Sequence, residues 1–537
     1  MMNREIKRVE NAIRRRWIHN RNDERIRTIS RKVAQNAPTV AQPPVIFFNA
    51  STRLAGLSLN AAFSLISSWA VRLRGVRVIH FVCRSGLTRC MLGSVVTDDP
   101  NRLPPCAECV AQSEVIYTHA EVKGLVRDKD DAFEAAVCGL SVPEMEQFCH
   151  RGVPLGELLL PAVRWVFRRH HLVDDEPTRL LYREYLISAD QIVTQFGRLL
   201  DETQPQAVVV FNGMSYPEAV ARWVAQQRGI TVFTHEVGLQ PFTAFFSDGL
   251  ATAYPIAISP DFQLKEKQNL KLDSYLEQRF KGNFSMAGVE FWSEILPLGD
   301  DFWEKAHTFK QIVPVFSNVI FDTSQAHANV VFEHMFDWLD TVLELTRSHP
   351  ETLFVFRAHP DEARPGKAAQ ESVAGWAEKN QITKLDNVVF VDASQKISSY
   401  ELIQHSKFVM IYNSTIGMEA TLLGTPVLCA GKARFTQIPT VYFPATRAAF
   451  IEKAEEMLLA DKITIPSEFI ENTRKFLYTQ LYQASLPFDE FLEEDHVWKG
   501  YVRLKYFPWT GLQPGASQTL DAISQGILNG KPFVINR

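Results

Sequence analysis

No apolar run in this 537-residue chain approaches the length that a bilayer span requires. The basic N-terminus lacks the apolar core of a signal peptide, so the sequence predicts a cytoplasmic protein. Neither sign of charge dominates. Fifty-seven Lys and Arg against 61 Asp and Glu leave a net −4, which carries no overall footprint for nucleic acid. Several catalytic signatures are also missing: there is no P-loop, no GxGxxG after the first apolar strand, no HExxH and no serine-nucleophile elbow. Asp128-Lys129-Asp130 is formally a DxD, but it lies in a charged, helical-looking stretch. It reads as a solvated face, and no metal is expected at the reaction site.

What is present is alternation of strand and helix patterns in two regions, each large enough for its own core. The first region opens with VIFFNAS (45–51), an amphipathic helix over 57–73 and a second strand over 76–83. The βαβ pattern returns at 207–236, and a largely helical insert at about 111–203 separates the two halves. The second region alternates strands at 312–322, 352–360 and 387–392 with helices at 331–349, near 368–379 and at 399–406. The predicted class is α/β. The divisions are a basic N-terminal helix and linker at 1–44, a first domain at 45–300, a second at 305–465, and C-terminal helices at 466–537 that pack back on the first domain. An irregular, aromatic-rich stretch at about 258–311 can hold the interdomain linker.

Two compositional features stand apart. Residues 1–32 carry eleven Arg/Lys against four acids, a local excess of +7. Such a segment suits a solvated helix, and it can also touch an anionic membrane surface. Four of the seven cysteines cluster as C-x6-C-x15-C-x2-C at Cys83, Cys90, Cys106 and Cys109. Cys106-x2-Cys109 is the tight pair, and Cys90, Cys106 and Cys109 are candidate ligands of a structural zinc. Reduced core or loop thiols are the plainer reading. His170-His171 with Asp174 and Asp175 can likewise bind metal or simply form a polar helix end.

The most informative stretch is VMIYNSTIGMEATLLGTPVLC (409–429): a buried strand, a polar turn, a helix and a second strand. Asn413, Ser414 and Thr415 open the helix, and Gly417 and Glu419 follow within its first turns. Unpaired N–H groups and small hydroxyls at such a turn suit a phosphate, and a glutamate one turn in can accept from ribose hydroxyls. An ordinary capped helix would look similar from the turn alone. Other strand ends add weight. In Arg357-Ala358-His359-Pro360, period-two geometry puts a guanidinium and an imidazole on one side, which suits a pyrophosphate. Lys367 and Lys432 offer further cations. In a doubly wound sheet these strand ends share one edge, which predicts a phosphate or nucleotide site. In the first region, Asn49, Ser51 and Thr52 end the first strand, and Asn212-Gly213 and His235-Glu236 end two later ones. Glu236 is the candidate general base, with His235 its rival.

RAHP at 357–360, SSYELIQHS at 398–406 and YNSTIGMEATLLGTPV at 412–427 resemble the GT-B glycosyltransferases of bacterial surface polysaccharides. Within that group the chain is most similar to the capsule polysaccharide biosynthesis proteins, which include Kdo transferases. The resemblance is best over about 312–445. It implies two Rossmann-like domains facing across a cleft, a donor site in the second and an acceptor site in the first. It implies metal-independent sugar transfer from a nucleotide-activated donor to a glycan or lipid-linked acceptor. On that pattern Ser414 and Thr415 hold phosphate, Glu419 takes the ribose, and Arg357 and His359 stabilise the leaving group. Other readings stay open: glycerophosphate transfer from a CDP-alditol, a UDP-sugar 2-epimerase, or a non-catalytic sugar-nucleotide binder. The cysteine cluster and the long helical insert depart from the Kdo transferases.

Overall fold

A computed structural model describes residues 2–39, 42–50, 56–91, 103–281, 285–286, 289–290, 296–366, 368–495 and 500–536. Ser51, Thr52 and Lys367 lie outside them. The first sheet is built from β1 (Val45–Asn49), β2 (Val78–Cys83), β3 (Glu121–Leu125), β4 (Ala207–Phe211), β5 (Thr231–Val237) and β6 (Thr243–Ser247). The second is built from β7 (Gln311–Phe316), β8 (Thr352–Arg357), β9 (Val388–Val391), β10 (Val409–Ile411) and β11 (Val427–Cys429). A short β12 (Leu486–Pro487) returns to the first sheet, antiparallel to β6.

The strand orders are 12-6-5-4-1-2-3 in the first sheet and 9-8-7-10-11 in the second. Within each, the first strand sits between one branch that runs outward in one direction and a second branch that runs in the other. All five strands of the second sheet pair in parallel. Ligands bind such sheets beyond the carboxyl ends of the strands, where the winding direction reverses. In the second sheet that place lies between β7 and β10. Two Rossmann-like domains of this kind make the GT-B architecture.

Local sequence explains the elements. Val45–Asn49 is buried at every position, as a central parallel strand covered on both faces must be. The helix after it is capped by Ser58, whose hydroxyl accepts from the Ala61 N–H at 3.2 Å. Apolar clusters cover both faces of each sheet. The cluster on one face of the second sheet also takes in Phe245, Ala251 and Ile256 of the first domain and Phe476 and Ala484 of the C-terminal segment.

Three segments differ from the sequence expectation. The helical insert contains a strand, β3, which extends the first sheet as a half-exposed edge; its EVKGL pattern has no apolar run to announce it. The stretch expected to be irregular holds a fifteen-residue helix, Glu266–Phe280. The N-terminal helix Met2–Asn36 is docked over its second half: Ile26, Ile29 and Val33 enter the core of the first domain, and Asn22 accepts from the Leu504 N–H at 2.8 Å. Residues 520–535 join that same core through Leu520, Ile523, Ile527, Phe533 and Ile535. No helix among the described residues is long and apolar enough to cross a membrane.

Candidate active site

Two cavities meet at the carboxyl edge of the second sheet. One, of about 170 Å³, lies at the winding reversal and is lined by Arg279, Arg357, His359, Tyr400, Ser414, Thr415 and Glu419. The other, of about 260 Å³, opens between the domains, with Thr252, Ala253 and Pro255 on one wall and Asn318, Asp322, His327 and Lys432 on the other. His359, Asp361, Ser414 and Thr415 line both.

Arg357 ends β8 and is 7% exposed. Its Nη1 is buried with no hydrogen-bond partner, which is costly for a charged donor unless a ligand completes it. Burial lowers its pKa to about 10, so it keeps its charge at neutral pH. His359 stands two residues on, on the same side. Its Nδ1 accepts the Asp361 N–H at 3.2 Å, which leaves Nε2 to carry the proton of the neutral ring. Burial holds its pKa below the usual histidine value; the Asp361 and Asp322 charges oppose that fall and the Arg357 charge adds to it.

The turn after β10 is set by Asn413, whose Oδ1 accepts from Asn318 Nδ2 at 2.6 Å and from Gln325 Nε2 at 3.4 Å. That side chain ties three loops together, and Asn413 lines the interdomain cavity rather than the one at the reversal. Ser414 and Thr415 are left lining it. Gly417 has a packing role: a Cβ there would stand 2.4 Å from Ile411 Cδ1 and 3.1 Å from Phe435 Cζ, so glycine lets the helix lie close on the sheet. Lys432 is exposed at the mouth of the interdomain cavity.

Glu419 is engaged on both oxygens. Oε1 accepts from Arg279 Nε at 2.8 Å and Nη2 at 2.5 Å, and Oε2 accepts from the Tyr400 hydroxyl at 2.6 Å. Burial opposes the charge on Arg279, yet the Glu419 carboxylate outweighs it and the guanidinium pKa rises. Burial and the same carboxylate push Tyr400 upward. Arg279 escaped the sequence reading because it sits on the Glu266–Phe280 helix, 140 residues from Glu419. No local spacing reports such a pair. Tyr400 lies inside the SSYELIQHS stretch but reads there as a helix residue.

In the first domain Glu236 and His235 part company. His235 is 1% exposed and packs with Phe246 and Phe211, its neighbours across the sheet, at ring distances of 5.2 and 5.9 Å. It belongs to the core, because strand alternation turns it away from the side Glu236 occupies. Glu236 Oε2 accepts from Asn212 Nδ2 and Oε1 from the Val237 N–H, both at 2.9 Å. Asn212 holds a left-handed backbone (φ 61°) that asparagine tolerates better than most residues. Burial raises the Glu236 pKa; its hydrogen bonds from Asn212, Val237 and Asn60 oppose the rise, and the charge of Asp322, across the cleft, adds to it. On the same cleft, His327 bonds Thr252 Oγ1 through Nε2 at 2.8 Å, and burial lowers its pKa to about 4.

His170 and His171 meet His334 of the second domain rather than Asp174 and Asp175. The three rings offer nitrogens within 4.8 Å of one another. Asp174 is held by Arg179 at 2.6 Å, and His171 Nδ1 by Glu371 Oε1 at 2.6 Å. The group clasps the insert to the second domain.

Residues 301–441 match the family described as capsule polysaccharide biosynthesis protein. The matched span contains β7 to β11, Arg357, His359, Ser414 and Glu419. No curated protein matches the chain. Among solved structures, the chain is similar to the beta Kdo 2,4 transferase of Thermosulfurimonas dismutans KpsC, at 11% identity and TM-score 0.36 over 52% of this chain and 80% of that one. It is also similar to UDP-GlcNAc 2-epimerase from Neisseria meningitidis bound to UDP-GlcNAc, at 12% identity and TM-score 0.24 over 81% and 97%. The S. aureus MnaA–UDP co-structure aligns at 11% identity and TM-score 0.23 over 81% and 91%.

Proposed function

We propose that this chain is a glycosyltransferase that moves a sugar from a nucleotide-activated donor to a cell-envelope glycan or lipid-linked acceptor. The observation that carries the reading is Arg357: a buried guanidinium with an unpartnered donor on a cavity at the winding reversal of a parallel sheet. An anionic phosphate is the ligand that would complete it. Lys396 adds charge at the rim, and Ser414 and Thr415 bring hydroxyls to the same wall. The Glu419 oxygens keep lone pairs beyond the bonds from Arg279 and Tyr400, so ribose hydroxyls can still donate to them.

In the reaction, an acceptor hydroxyl oxygen forms a bond to the anomeric carbon while that carbon's bond to the donor phosphate oxygen breaks. The acceptor proton passes to Glu236. The electron pair leaves on phosphate, where Arg357 and the His359 Nε2–H meet the developing charge. Cationic side chains thus do the neutralising, and we expect transfer to proceed in the presence of a chelator. Activated sugars are cytoplasmic metabolites, so we place the enzyme there. Contact with the inner face of the membrane would run through the basic residues 1–32.

The test is thermal denaturation with CMP, CDP, UDP and GDP, repeated on Arg357→Ala. Stabilisation by one nucleotide, lost in the variant, supports the donor site. No shift with any nucleotide overturns it. Nucleotide release on incubation with donor and acceptor separates an enzyme from a non-catalytic binder. Phosphate retained on the product would point to alditol-phosphate transfer instead.

A further inference from the structure

Three imidazoles from two domains converge outside both cavities of the candidate active site. His170 and His171 follow the helix Leu155–Phe167 of the insert, which stops where Arg168 takes a left-handed backbone (φ 56°). His334 caps the helix Met335–Ser348 of the second domain. The segment that carries the first two rings is already fixed against the second domain. The Gln370 N–H donates to the Arg168 carbonyl at 2.9 Å, and the His170 and His171 N–H groups donate to Glu371 Oε2 at 2.8 and 2.9 Å.

Ring geometry indicates what the imidazoles surround. Their centroids stand 4.9, 4.9 and 4.8 Å apart, with planes inclined by 75°, 54° and 89°, so the rings are not stacked. One nitrogen of each lies within 4.8 Å of the other two. Three imidazoles on one tetrahedral ion, with metal–nitrogen bonds of about 2.0–2.1 Å, hold their centroids about 5 Å apart. Closing the three nitrogens onto such an ion takes a movement of about 1 Å or less each, which small side-chain rotations supply. A second feature is independent of that spacing. His171 Nδ1 lies 2.6 Å from Glu371 Oε1. With Nδ1–H donating to the carboxylate, Nε2 carries the lone pair, the arrangement that stands behind metal-binding imidazoles. The His171 side chain is 57% exposed, which gives an ion an entry path and room for a water as fourth ligand. The His334 Nδ1 accepts the Asp337 N–H at 3.1 Å, so ligation by that ring exchanges one helix-cap bond for a metal bond. Around the rings, Glu333 and Glu371 set negative charge against the Arg164 guanidinium, a balance that suits a cation.

We propose that His170, His171 and His334 bind one divalent transition-metal ion of the zinc class. A set of imidazoles suits zinc, nickel or copper, whereas magnesium and calcium take oxygen ligands. The bound ion would tie the helical insert of the first domain to the second domain. No step of sugar transfer passes through it, so the proposal is independent of the donor site. The cysteines are the rival ligands: Cys83, Cys90, Cys106 and Cys109 line a separate cavity of about 20 Å³.

The experiment takes the full chain without a polyhistidine tag, strips it with a chelator, and titrates it with zinc by calorimetry and with cobalt(II) by absorption. Expected are about one zinc per chain, a melting temperature that rises with zinc, and cobalt bands in the visible without the near-ultraviolet charge transfer of thiolate ligands. His171→Ala, at an exposed ring, should weaken zinc binding at least about tenfold, and Glu371→Gln, which removes the carboxylate behind that ring, by about 10–100-fold. His334→Asn keeps a side chain able to cap its helix and should weaken binding like His171→Ala. Cys106→Ser combined with Cys109→Ser should leave the affinity unchanged. Because the first arm uses the unaltered chain, a misfolded variant does not spare the idea. No zinc uptake by that chain would overturn the proposal. So would uptake that survives both histidine variants, or uptake that is lost with the cysteines.

Discussion

The carboxyl edge of the second sheet presents a guanidinium with an unfilled donor, whereas that of the first presents a carboxyl group held by amides. Arg357 has burial without a protein partner. Glu236 is half-buried, with Asn212 and Val237 as neutral donors, and a like charge, Asp322, across the cleft. The same strand-end position therefore yields opposite electrostatics. One edge is preset to receive negative charge, the other to take up a proton. On the proposed function they supply the two halves of a group transfer.

The comparison breaks most sharply at the proton acceptor. Glu236→Gln should lower kcat by about 10²–10⁴-fold while leaving nucleotide binding intact, as steady-state kinetics beside calorimetric titration would reveal. Equal loss of binding would move Glu236 out of the base role. Its pH behaviour sharpens the point. The base works deprotonated and its pKa is raised, so kcat/KM should rise with pH through an apparent pKa above the ordinary glutamate value. Asp322→Asn removes a like charge and should move that limb to lower pH. Asn212→Ala removes a bond to the carboxylate and should move it higher.

Next in size is Glu419→Ala. It strands Arg279 in the interior and should destabilise the fold by about 3–5 kcal/mol, read from chemical denaturation. A loss near zero would mean the pair is not formed. Arg357→Ala should then cost about 10²–10³-fold in turnover. Here the sign of the stability effect separates the two arginines: Arg357→Met, which removes an unpartnered buried charge, should raise the melting temperature of the ligand-free protein as activity falls. The smallest effect is expected at Lys432→Ala. An exposed cation at the cleft mouth should change KM by a few-fold, and less at high salt.

Much of the α/β architecture was legible because a buried parallel strand and its covering helix leave short-range patterns. VIFFN and TLFVFR read as strands, and their polar ends mark the sheet edge. Arg357, His359, Ser414, Thr415 and Glu419 could be gathered into one expectation for the same reason, and they do line one cavity. Three things were not legible: β3, whose half-polar edge lacks an apolar run; Arg279, on a helix in a stretch that reads as linker; and the choice between His235 and Glu236. Period two says that those neighbours point to opposite faces, but not which face is core.

The sequence by itself determined the alternation of strands and helices, the polar residues that end the strands, and the spacing of four cysteines, since each depends on neighbours a few positions apart. Only the tertiary structure decided which charges are paired. Glu419 is matched by Arg279 and Arg357 is not, because those contacts join segments whose separation along the chain carries no periodic signal.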